Sequence, residues 1–163
     1  MAKNKEEKTN VMRVLEQKKI AYTAHTYPHE EGMAVDGVTV AKSMGFDPAI
    51  VFKTLVARGA SKQYYVFDVP VAENLDLKKA AKAVGEKSIE MIHQKELLPL
   101  TGYVRGGCSP VGMKKLFPTV FHETAENLET MIVSAGKIGY QVELAPHDLA
   151  ALVRAKFADI IVE

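Results

Sequence analysis

The sequence has a single cysteine and no tryptophan, and it contains no long apolar segment. One thiol, Cys108, cannot form an internal disulfide, which favours a reducing compartment. The charged N-terminal segment is not followed by the apolar core of a signal peptide, and no segment approaches the roughly 20 apolar residues that span a bilayer. The sequence therefore predicts a cytoplasmic protein with no role in a membrane.

The chain also lacks a strong charge of either sign. Its 21 Lys and Arg residues balance 20 Asp and Glu, so the formal net charge is +1. Such a balance gives no global field that would attract a polyanion, and any nucleic acid must bind a local patch. Five lysines are candidates for that patch, although the same pattern is typical of a solvated surface: Lys78, Lys79, Lys82, Lys114 and Lys115.

The spacing that metal ligands require is absent as well. The 5 histidines are scattered along the chain, and the single cysteine has no partner with which to bind a metal ion. Structural and catalytic metal sites draw on such residues at short, recurring intervals. We therefore predict no metal site and no cofactor.

What the chain does contain is enough apolar content for one continuous core. At 163 residues with 47% hydrophobic residues, it fits a single domain of ordinary size. Residues 1–8 are charged, and we expect them to form a flexible N-terminus. Residues 9–163 show no internal repeat, linker or low-complexity run, and they predict one domain.

Hydrophobic periodicity predicts alternating helices and strands. Helices are expected from Thr9 or Asn10 to Ile20, from Asp36 to Met44, from Asn74 to Val84, from Gln94 to Leu98 and from Pro146 onward. Strands are expected over Ala21–Tyr27, Val51–Ala57, Tyr64–Val71, Ser88–Ile92, Tyr103–Arg105, Thr119–His122, Met131–Ser134, Gly139–Ala145 and Asp159–Val162.

The connections between the strands indicate the fold class. Two pairs of strands are joined by turn-rich segments, 58–63 and 135–138, whose lengths suit β-hairpins and hence antiparallel neighbours. The Gly-x-Gly-x-x-Gly motif of a doubly wound dinucleotide-binding fold does not open the first helix. We therefore predict an α/β fold with a mixed, mostly antiparallel sheet, curled or barrel-like, and with helices packed around it.

Lys53 conflicts with the pattern of its own strand. The period of two places its side chain on the same face as Val51 and Leu55, which are core-type residues. An unpaired ammonium group in a core would be costly. Two interpretations are open: a lysine on an edge strand whose charge stays in water, and a lysine that projects into a cavity and holds a phosphate, carboxylate or carbonyl oxygen.

A glycine-rich segment, 102–112, is the second candidate site. Its four glycines leave the backbone amides unobstructed, and Pro110 fixes one backbone angle. Such amides can cradle an oxyanion or a phosphate, although a tight structural connection has the same composition. The segment is neither a P-loop nor a nucleophile elbow. Cys108 within it is a candidate nucleophile or a small core residue.

Together these two segments resemble the YbaK/EbsC family, which is related to the editing domain of bacterial prolyl-tRNA synthetases. The resemblance rests on Val51-Phe-Lys-Thr-Leu-Val56 combined with Gly102-Tyr-Val-Arg-Gly-Gly-Cys-Ser-Pro-Val-Gly-Met-Lys-Lys115. Shorter matches support it: Tyr27-Pro28, Asp47-Pro48, Ser134-Ala-Gly136 and Glu143-Leu-Ala-Pro-His-Asp-Leu149. The resemblance covers nearly the whole chain after Thr9.

The resemblance implies a trans-editing hydrolase that deacylates mischarged Cys-tRNA(Pro) and binds its 3′-terminal aminoacyl-adenosine in a cleft. The essential lysine of the family falls on Lys53, as the catalytic residue that orients the substrate. The amides of the Gly106–Pro110 loop would surround the scissile carbonyl, which in the Cys-specific branch is attacked by the substrate's own thiol. The substrate-binding residues expected on this basis are Tyr27, Thr54, Gly106, Gly107, Cys108, Ser109, Pro110 and Gly136.

Three other hypotheses are compatible with the sequence. A protein of this kind could deacylate Ala-tRNA(Pro) or another mischarged tRNA, because a pocket distinguishes one small group by only about 1–3 kcal/mol. The chain could also be a non-catalytic module that binds an aminoacyl-tRNA or a nucleotide. Finally, the near-neutral charge suggests weak affinity for tRNA alone, so prolyl-tRNA synthetase is a candidate partner besides the mischarged tRNA.

Overall fold

The computed structural model describes residues 8–28 and 36–163, which form five α-helices and eight strands. The helices are α1 (Asn10–Gln17), α2 (Gly37–Ser43), α3 (Leu77–Val84), α4 (Gln94–Thr101) and α5 (Pro146–Val153). The strands are β1 (Thr23–Thr26), β2 (Phe52–Gly59), β3 (Tyr64–Pro70), β4 (Ile89–Met91), β5 (Thr119–His122), β6 (Met131–Ser134), β7 (Tyr140–Leu144) and β8 (Lys156–Ala158). Of the predicted flexible N-terminus, 1–8, all but Lys8 lies outside the described residues.

The strands form two sheets. One has the order β1-β7-β6 and is antiparallel throughout. The other has the order β4-β2-β3-β5-β8, antiparallel from β4 to β3 and parallel from β3 to β8. An isolated bridge between Val51 and Ile132 links the two sheets. The predicted mixed, mostly antiparallel α/β fold is confirmed, with the difference that neither sheet closes into a barrel.

Side-chain caps explain where the helices begin and end. The Thr9 hydroxyl accepts a hydrogen bond from the Met12 amide before α1, and a carboxylate oxygen of Asp36 accepts one from the Thr39 amide before α2. Helix α3 begins after Asp76 rather than near the predicted Asn74, because the Asp76 carboxylate caps its first amides. It ends as predicted at Gly85, whose φ of 76° suits glycine. Helix α4 continues past the predicted Leu98 to Thr101.

The predicted strand Tyr103–Arg105 is wrong. The segment runs irregularly into a turn, because its hydrogen bonds are local rather than directed to a neighbouring strand. The Tyr103 amide donates to the Thr101 hydroxyl at 3.0 Å, and the Tyr103 hydroxyl donates to the carbonyl oxygen of Val111. The first bond ties the segment to the end of α4, and the second folds the glycine-rich segment back on itself.

The last strand also differs from its prediction. It is Lys156–Ala158, which pairs in parallel with β5, and not Asp159–Val162. The chain leaves the sheet at Asp159 because the next backbone bonds run to the segment before α3: the Ile160 carbonyl oxygen accepts from the Asp76 amide at 2.8 Å, and the Val162 amide donates to the Asn74 carbonyl oxygen at 2.9 Å. The Asp159 carboxylate also forms an ion pair with Lys79 of α3 at 3.0 Å. Ile160 and the residues after it return towards α3, where Ile160 is fully buried.

The five-stranded sheet carries a core on each face. Val56 and Val66 point into the larger core, which also contains residues of α1, α5 and the glycine-rich segment. Ala57 and Phe67, one position along each strand, point into a smaller core beneath α3. The glycine-rich segment is therefore held against one face of β2 and β3, and this contact positions the site. No helix in the described ranges is long and apolar enough to cross a membrane.

Candidate functional site

A pocket of about 1040 Å³ lies where β2, the start of α2, the start of α4 and the glycine-rich segment meet. Five of the residues predicted from the sequence line it: Tyr27, Lys53, Thr54, Gly106 and Cys108. The structure thus brings together the lysine strand and the glycine-rich loop, two segments that are about 50 residues apart in the chain. A concave site of this size, lined by apolar side chains and several polar ones, is typical of a ligand-binding pocket.

Lys53 lies in the wall of this pocket, on β2, with its side chain partly buried. Burial lowers the pKa of Lys53, and the carboxylates of Asp36 and Glu73 raise it in part. Within residues 8–28 and 36–163, no carboxylate lies within 4.0 Å of its ammonium nitrogen. Of the two interpretations that the sequence left open, this geometry fits the lysine that projects into a cavity.

Thr54, the next residue along β2, connects the pocket to a buried carboxyl group. Its hydroxyl donates to Oδ1 of Asp68 at 2.5 Å, and the two residues are register partners on β2 and β3. Asp68 is 0% exposed, and its other oxygen, Oδ2, has no hydrogen-bond partner in the part of the chain that the structure describes. Burial raises the pKa of Asp68 to about 7, and the hydrogen bond from Thr54 opposes that rise.

The glycine-rich loop contributes backbone to the pocket through Gly106. This residue has a φ of 92°, and its carbonyl oxygen accepts a hydrogen bond from the Ser134 hydroxyl at 3.3 Å. The amide of Gly107 donates to the carbonyl oxygen of Val104 at 3.0 Å, so this amide closes a turn and does not face a ligand. A Cβ atom on Gly107 would lie 3.1 Å from the backbone nitrogen of Ile138, which shows how closely the loop packs on the β6–β7 hairpin.

Three further predicted residues support the loop from outside the pocket lining. Ser109 is 0% exposed, and its hydroxyl accepts a hydrogen bond from the Val111 amide at 3.2 Å. Pro110, which follows it, is also buried. Gly136 has a φ of 97°, and a Cβ atom there would lie 3.2 Å from the Tyr103 ring. These positions fix the shape of the loop, whereas Gly106 and Cys108 line the pocket.

Cys108 lines the pocket but belongs to the larger core. Burial, with a smaller contribution from the nearby Asp68, raises the pKa of the Cys108 thiol to about 12. A thiol with such a pKa stays protonated near neutral pH, and the thiol form is a poor nucleophile. The environment therefore favours the interpretation of Cys108 as a small core residue.

Sequence reasoning missed several polar residues of the pocket. Arg105, Ser134 and Gln141 line it together with the predicted residues. Gln141 is 6% exposed, and its Oε1 has no hydrogen-bond partner among the described residues, so it can accept a hydrogen bond from a ligand. Gln141 could have been found in the sequence as a polar residue at an inward-facing position of β7, between apolar neighbours.

The predicted phosphate patch is only partly available. Lys79 is engaged by Asp159, by Glu163 at 3.4 Å and by the carbonyl oxygen of Ile161 at 2.9 Å, so it fastens the C-terminal segment to α3. Lys114 donates to the carbonyl oxygen of Pro99 at 3.3 Å. Among the described residues, Lys78, Lys82 and Lys115 are the exposed lysines of the predicted patch without a hydrogen bond or ion pair, although Lys115 lies over the ring of Phe117, 6.0 Å from its centre. No group of His, Cys, Asp and Glu suited to a metal ion occurs within the described ranges.

Comparison with known proteins adds to this geometry. The profile of the aminoacyl-tRNA editing domain matches residues 29–152. A protein of Enterococcus faecalis named "Putative Cys-tRNA(Pro)/Cys-tRNA(Cys) deacylase EbsC" is 47% identical over 161 residues, which cover 98% of each chain. Both similarities cover the strand of Lys53 and the glycine-rich segment.

Two solved structures share the fold. One, described as a putative trans-editing enzyme for prolyl tRNA synthetase, has a TM-score of 0.79 and 25% identity and covers 94% of this chain and 95% of its own. The other, a hypothetical protein APE2540, has a TM-score of 0.82 over 93% of this chain and 99% of its own, and at 18% identity it supports the fold alone. The resemblance inferred from the two segments is thus confirmed, and the chain belongs to the family of aminoacyl-tRNA editing domains.

Proposed function

We propose that the protein hydrolyses the ester of cysteine misattached to tRNA(Pro), acting in trans on the free mischarged tRNA. The observation that carries this proposal is the meeting of Lys53 and the glycine-rich loop in one pocket, in a chain of the editing family. The names of two similar proteins narrow the substrate. One is named as a putative deacylase of Cys-tRNA(Pro) and Cys-tRNA(Cys), and the other is described as a putative trans-editing enzyme for prolyl tRNA synthetase.

In this proposal the pocket takes the 3′-terminal adenosine with its aminoacyl group. Its volume of about 1040 Å³ is generous for a single amino acid and leaves room for a nucleoside. Lys53 orients the substrate by holding the ester carbonyl oxygen or a terminal phosphate. Because its ammonium group is partly withdrawn from water, such an interaction is stronger than at an open surface.

The proposed reaction uses the thiol of the substrate as its nucleophile. The deprotonated cysteine sulfur attacks its own carbonyl carbon, the bond to the ribose oxygen breaks, and that oxygen takes up a proton. The resulting thiolactone is then opened by water to give free cysteine. A well-oriented intramolecular group can reach an effective molarity on the order of 10⁵ M or more, so orientation by the pocket can supply most of the rate.

The partner in this reaction is the mischarged tRNA. The exposed lysines Lys78, Lys82 and Lys115 are candidates for contacts with its phosphates. A complex with prolyl-tRNA synthetase stays a prediction, which rests on the near-neutral charge of the chain and on the family resemblance.

Hydrolysis of charged tRNA tests the proposed substrate. We expect Cys-tRNA(Pro) to be deacylated faster than Ala-tRNA(Pro) and Ser-tRNA(Pro) at equal concentration, because only cysteine carries a thiol that takes part in the reaction. Cys-tRNA(Cys) is the matched control for the tRNA, since a pocket that reads the aminoacyl end treats both tRNAs alike. A preference for alanine would move the assignment to Ala-tRNA(Pro). Binding of an uncleavable aminoacyl-adenosine without any hydrolysis would favour the non-catalytic module.

Replacement of Cys108 by alanine tests the origin of the nucleophile. We expect Cys108→Ala to retain most of the Cys-tRNA(Pro) deacylation rate, within a few-fold of the wild type, because the buried thiol stays protonated near neutral pH. Single-turnover deacylation at neutral pH measures this effect. Abolished turnover in a variant that is still folded would transfer the role of nucleophile to the protein.

A further inference from the structure

A carboxyl group lies one side chain behind the wall of the pocket. Asp68 is fully buried, and its Oδ1 accepts the Thr54 hydroxyl proton at 2.5 Å. Thr54 itself lines the pocket, whereas Asp68 does not. The second carboxyl oxygen, Oδ2, is without a hydrogen-bond partner in residues 8–28 and 36–163. An acid in this position is not explained by the roles proposed for Lys53 and the glycine-rich loop.

The surroundings of Asp68 supply no compensating charge. From β2 it faces Thr54, on β5 its register partner is Phe121, and from the glycine-rich loop the titratable group beside it is the thiol of Cys108. Burial and the bond from Thr54 are the causes that set its pKa, and no described lysine, arginine or histidine contributes. Lys53, the neighbour of Thr54 on β2, also lines the pocket but is not among the groups that shift the pKa of Asp68.

This isolation points to a cation that arrives in the pocket. An ionised carboxylate can only accept hydrogen bonds, so the single proton of the Thr54 hydroxyl is committed to Asp68. The lone pairs of the Thr54 oxygen are then left for the pocket, with a negative charge directly behind them. A hydroxyl in this state recognises a hydrogen-bond donor, and a positively charged donor most strongly.

We propose that Asp68 is a positioning residue that holds the Thr54 hydroxyl as an acceptor for the α-ammonium group of the aminoacyl ester. The inference rests on the proposed function, in which Lys53 faces the carbonyl oxygen or a phosphate and so leaves the ammonium group of the substrate without a partner. Asp68 does not touch the substrate. It fixes the direction of the Thr54 hydrogen bond and supplies charge through it.

Binding of an uncleavable analogue tests this role without requiring turnover. The probe is 3′-deoxy-3′-(cysteinylamino)adenosine, in which an amide replaces the ester, and its N-acetylated form lacks the ammonium charge. At pH 7.5 we expect Asp68→Asn to weaken binding of the free-amine probe about tenfold or more, the effect of one hydrogen bond to a charged group. Binding of the N-acetylated probe should be unchanged, as measured by calorimetry.

Glu143→Gln is the matched control. Glu143 accepts a hydroxyl proton from Thr130 at 2.5 Å, as Asp68 does from Thr54, but neither residue of this second pair lines the pocket. We expect Glu143→Gln to leave the affinity for both probes unchanged. A loss of affinity in this variant would show that neutralising a partly buried acid outside the pocket also perturbs it, and it would overturn the inference.

Two further comparisons separate positioning from a purely structural role. Asp68→Asn should weaken binding much less at pH 5.5 than at pH 7.5, since Asp68 of the free protein is largely protonated at the lower pH. In a Thr54→Val background, Asp68→Asn should have no further effect on the free-amine probe, because the charge acts through the hydroxyl.

The outcomes distinguish the inference from the proposed function. Equal weakening of both probes by Asp68→Asn, no weakening of either, or additive effects of Thr54→Val and Asp68→Asn would overturn the inference. No binding of either probe by the wild type would overturn it together with the assignment of the pocket. Ammonium-dependent binding without hydrolysis of any charged tRNA would support the inference and overturn only the proposed deacylase function.

Discussion

Lys53→Ala is expected to lower the rate of Cys-tRNA(Pro) deacylation by about a hundredfold or more while the protein stays folded. Removing one preorganised electrostatic group from an acyl-transfer site costs roughly 10²–10³ in rate. The partial burial of Lys53 and its place in the pocket wall provide the conditions for an effect of that size. Single-turnover deacylation of wild type and variant measures it, and circular dichroism checks the fold.

Two variants control for the loss of charge. Lys18→Ala removes an exposed lysine that follows α1, outside the residues that line the pocket, and should deacylate at the wild-type rate. Lys53→Arg keeps the charge but replaces a compact ammonium with a planar fork, so we expect only partial recovery of the rate. If Lys53→Ala were as active as Lys18→Ala, the proposed role of the lysine would be wrong.

The position of Lys53 could be predicted from the sequence because it breaks a local rule. A lysine at a core-type position of a strong strand is visible from the period of two alone. Asp68 breaks the same rule on β3, but the sequence analysis did not identify it as a candidate site residue. The pattern of a strand does not show which inward-facing position adjoins a pocket. That information depends on Thr54 of the neighbouring strand and on Cys108, 40 residues further along the chain.

The structure of the glycine-rich loop could also be predicted only in part from the sequence. Its composition predicted an irregular segment with accessible backbone, and Gly106 does line the pocket. Which amides are engaged elsewhere could not be predicted, because the Gly107 amide closes a turn onto Val104. The shape of the loop depends on distant contacts, such as those of Gly107 with the backbone of 137–138.

The wrong position predicted for the last strand also results from contacts between distant parts of the chain. Both Lys156–Ala158 and Asp159–Val162 have strand-like residues, and local pattern favoured the more apolar segment. The structure places the first of them in the sheet beside β5, whereas Ile160 and Val162 of the second bond to the backbone of Asp76 and Asn74, more than 80 residues away in the chain. Contacts of this separation are not available to a reading of local periodicity.

Asp68→Asn is expected to change the pH dependence of stability as well as binding. The pKa of Asp68 rises from 3.8 to about 7 on folding, so between these values the native state holds a proton that the unfolded state has lost. Stability therefore falls as the pH rises from about 4 to 7, and above pH 7 the cost of the buried charge is complete. At 1.36 kcal/mol per pKa unit, that cost is on the order of 4 kcal/mol.

The variant carries no such charge, so its stability should not contain this contribution. From pH 5 to pH 8 we expect the free energy of unfolding of Asp68→Asn to shift by about 2–3 kcal/mol in its favour relative to the wild type. Urea denaturation of both proteins at the two pH values measures the difference, in which the titration of all other groups cancels. A difference that stays the same at both pH values would mean that Asp68 is already ionised in the native state at pH 5, so that folding does not raise its pKa.

Glu143 provides the opposite case. The hydrogen bond from Thr130 and the contact with His25 lower the pKa of Glu143, so its ionised form stabilises the fold, and Glu143→Gln should be destabilising at pH 8. Asp68 and Glu143 each accept a threonine hydroxyl at 2.5 Å, yet their ionised forms contribute to stability with opposite signs. A carboxylate that destabilises the native protein, yet lies directly behind Thr54 in the pocket wall, is expected where binding of a cationic substrate offsets its cost. If Asp68→Asn lost affinity for the probe and gained stability at pH 8, the Asp68 carboxylate would be shown to favour binding at the expense of stability.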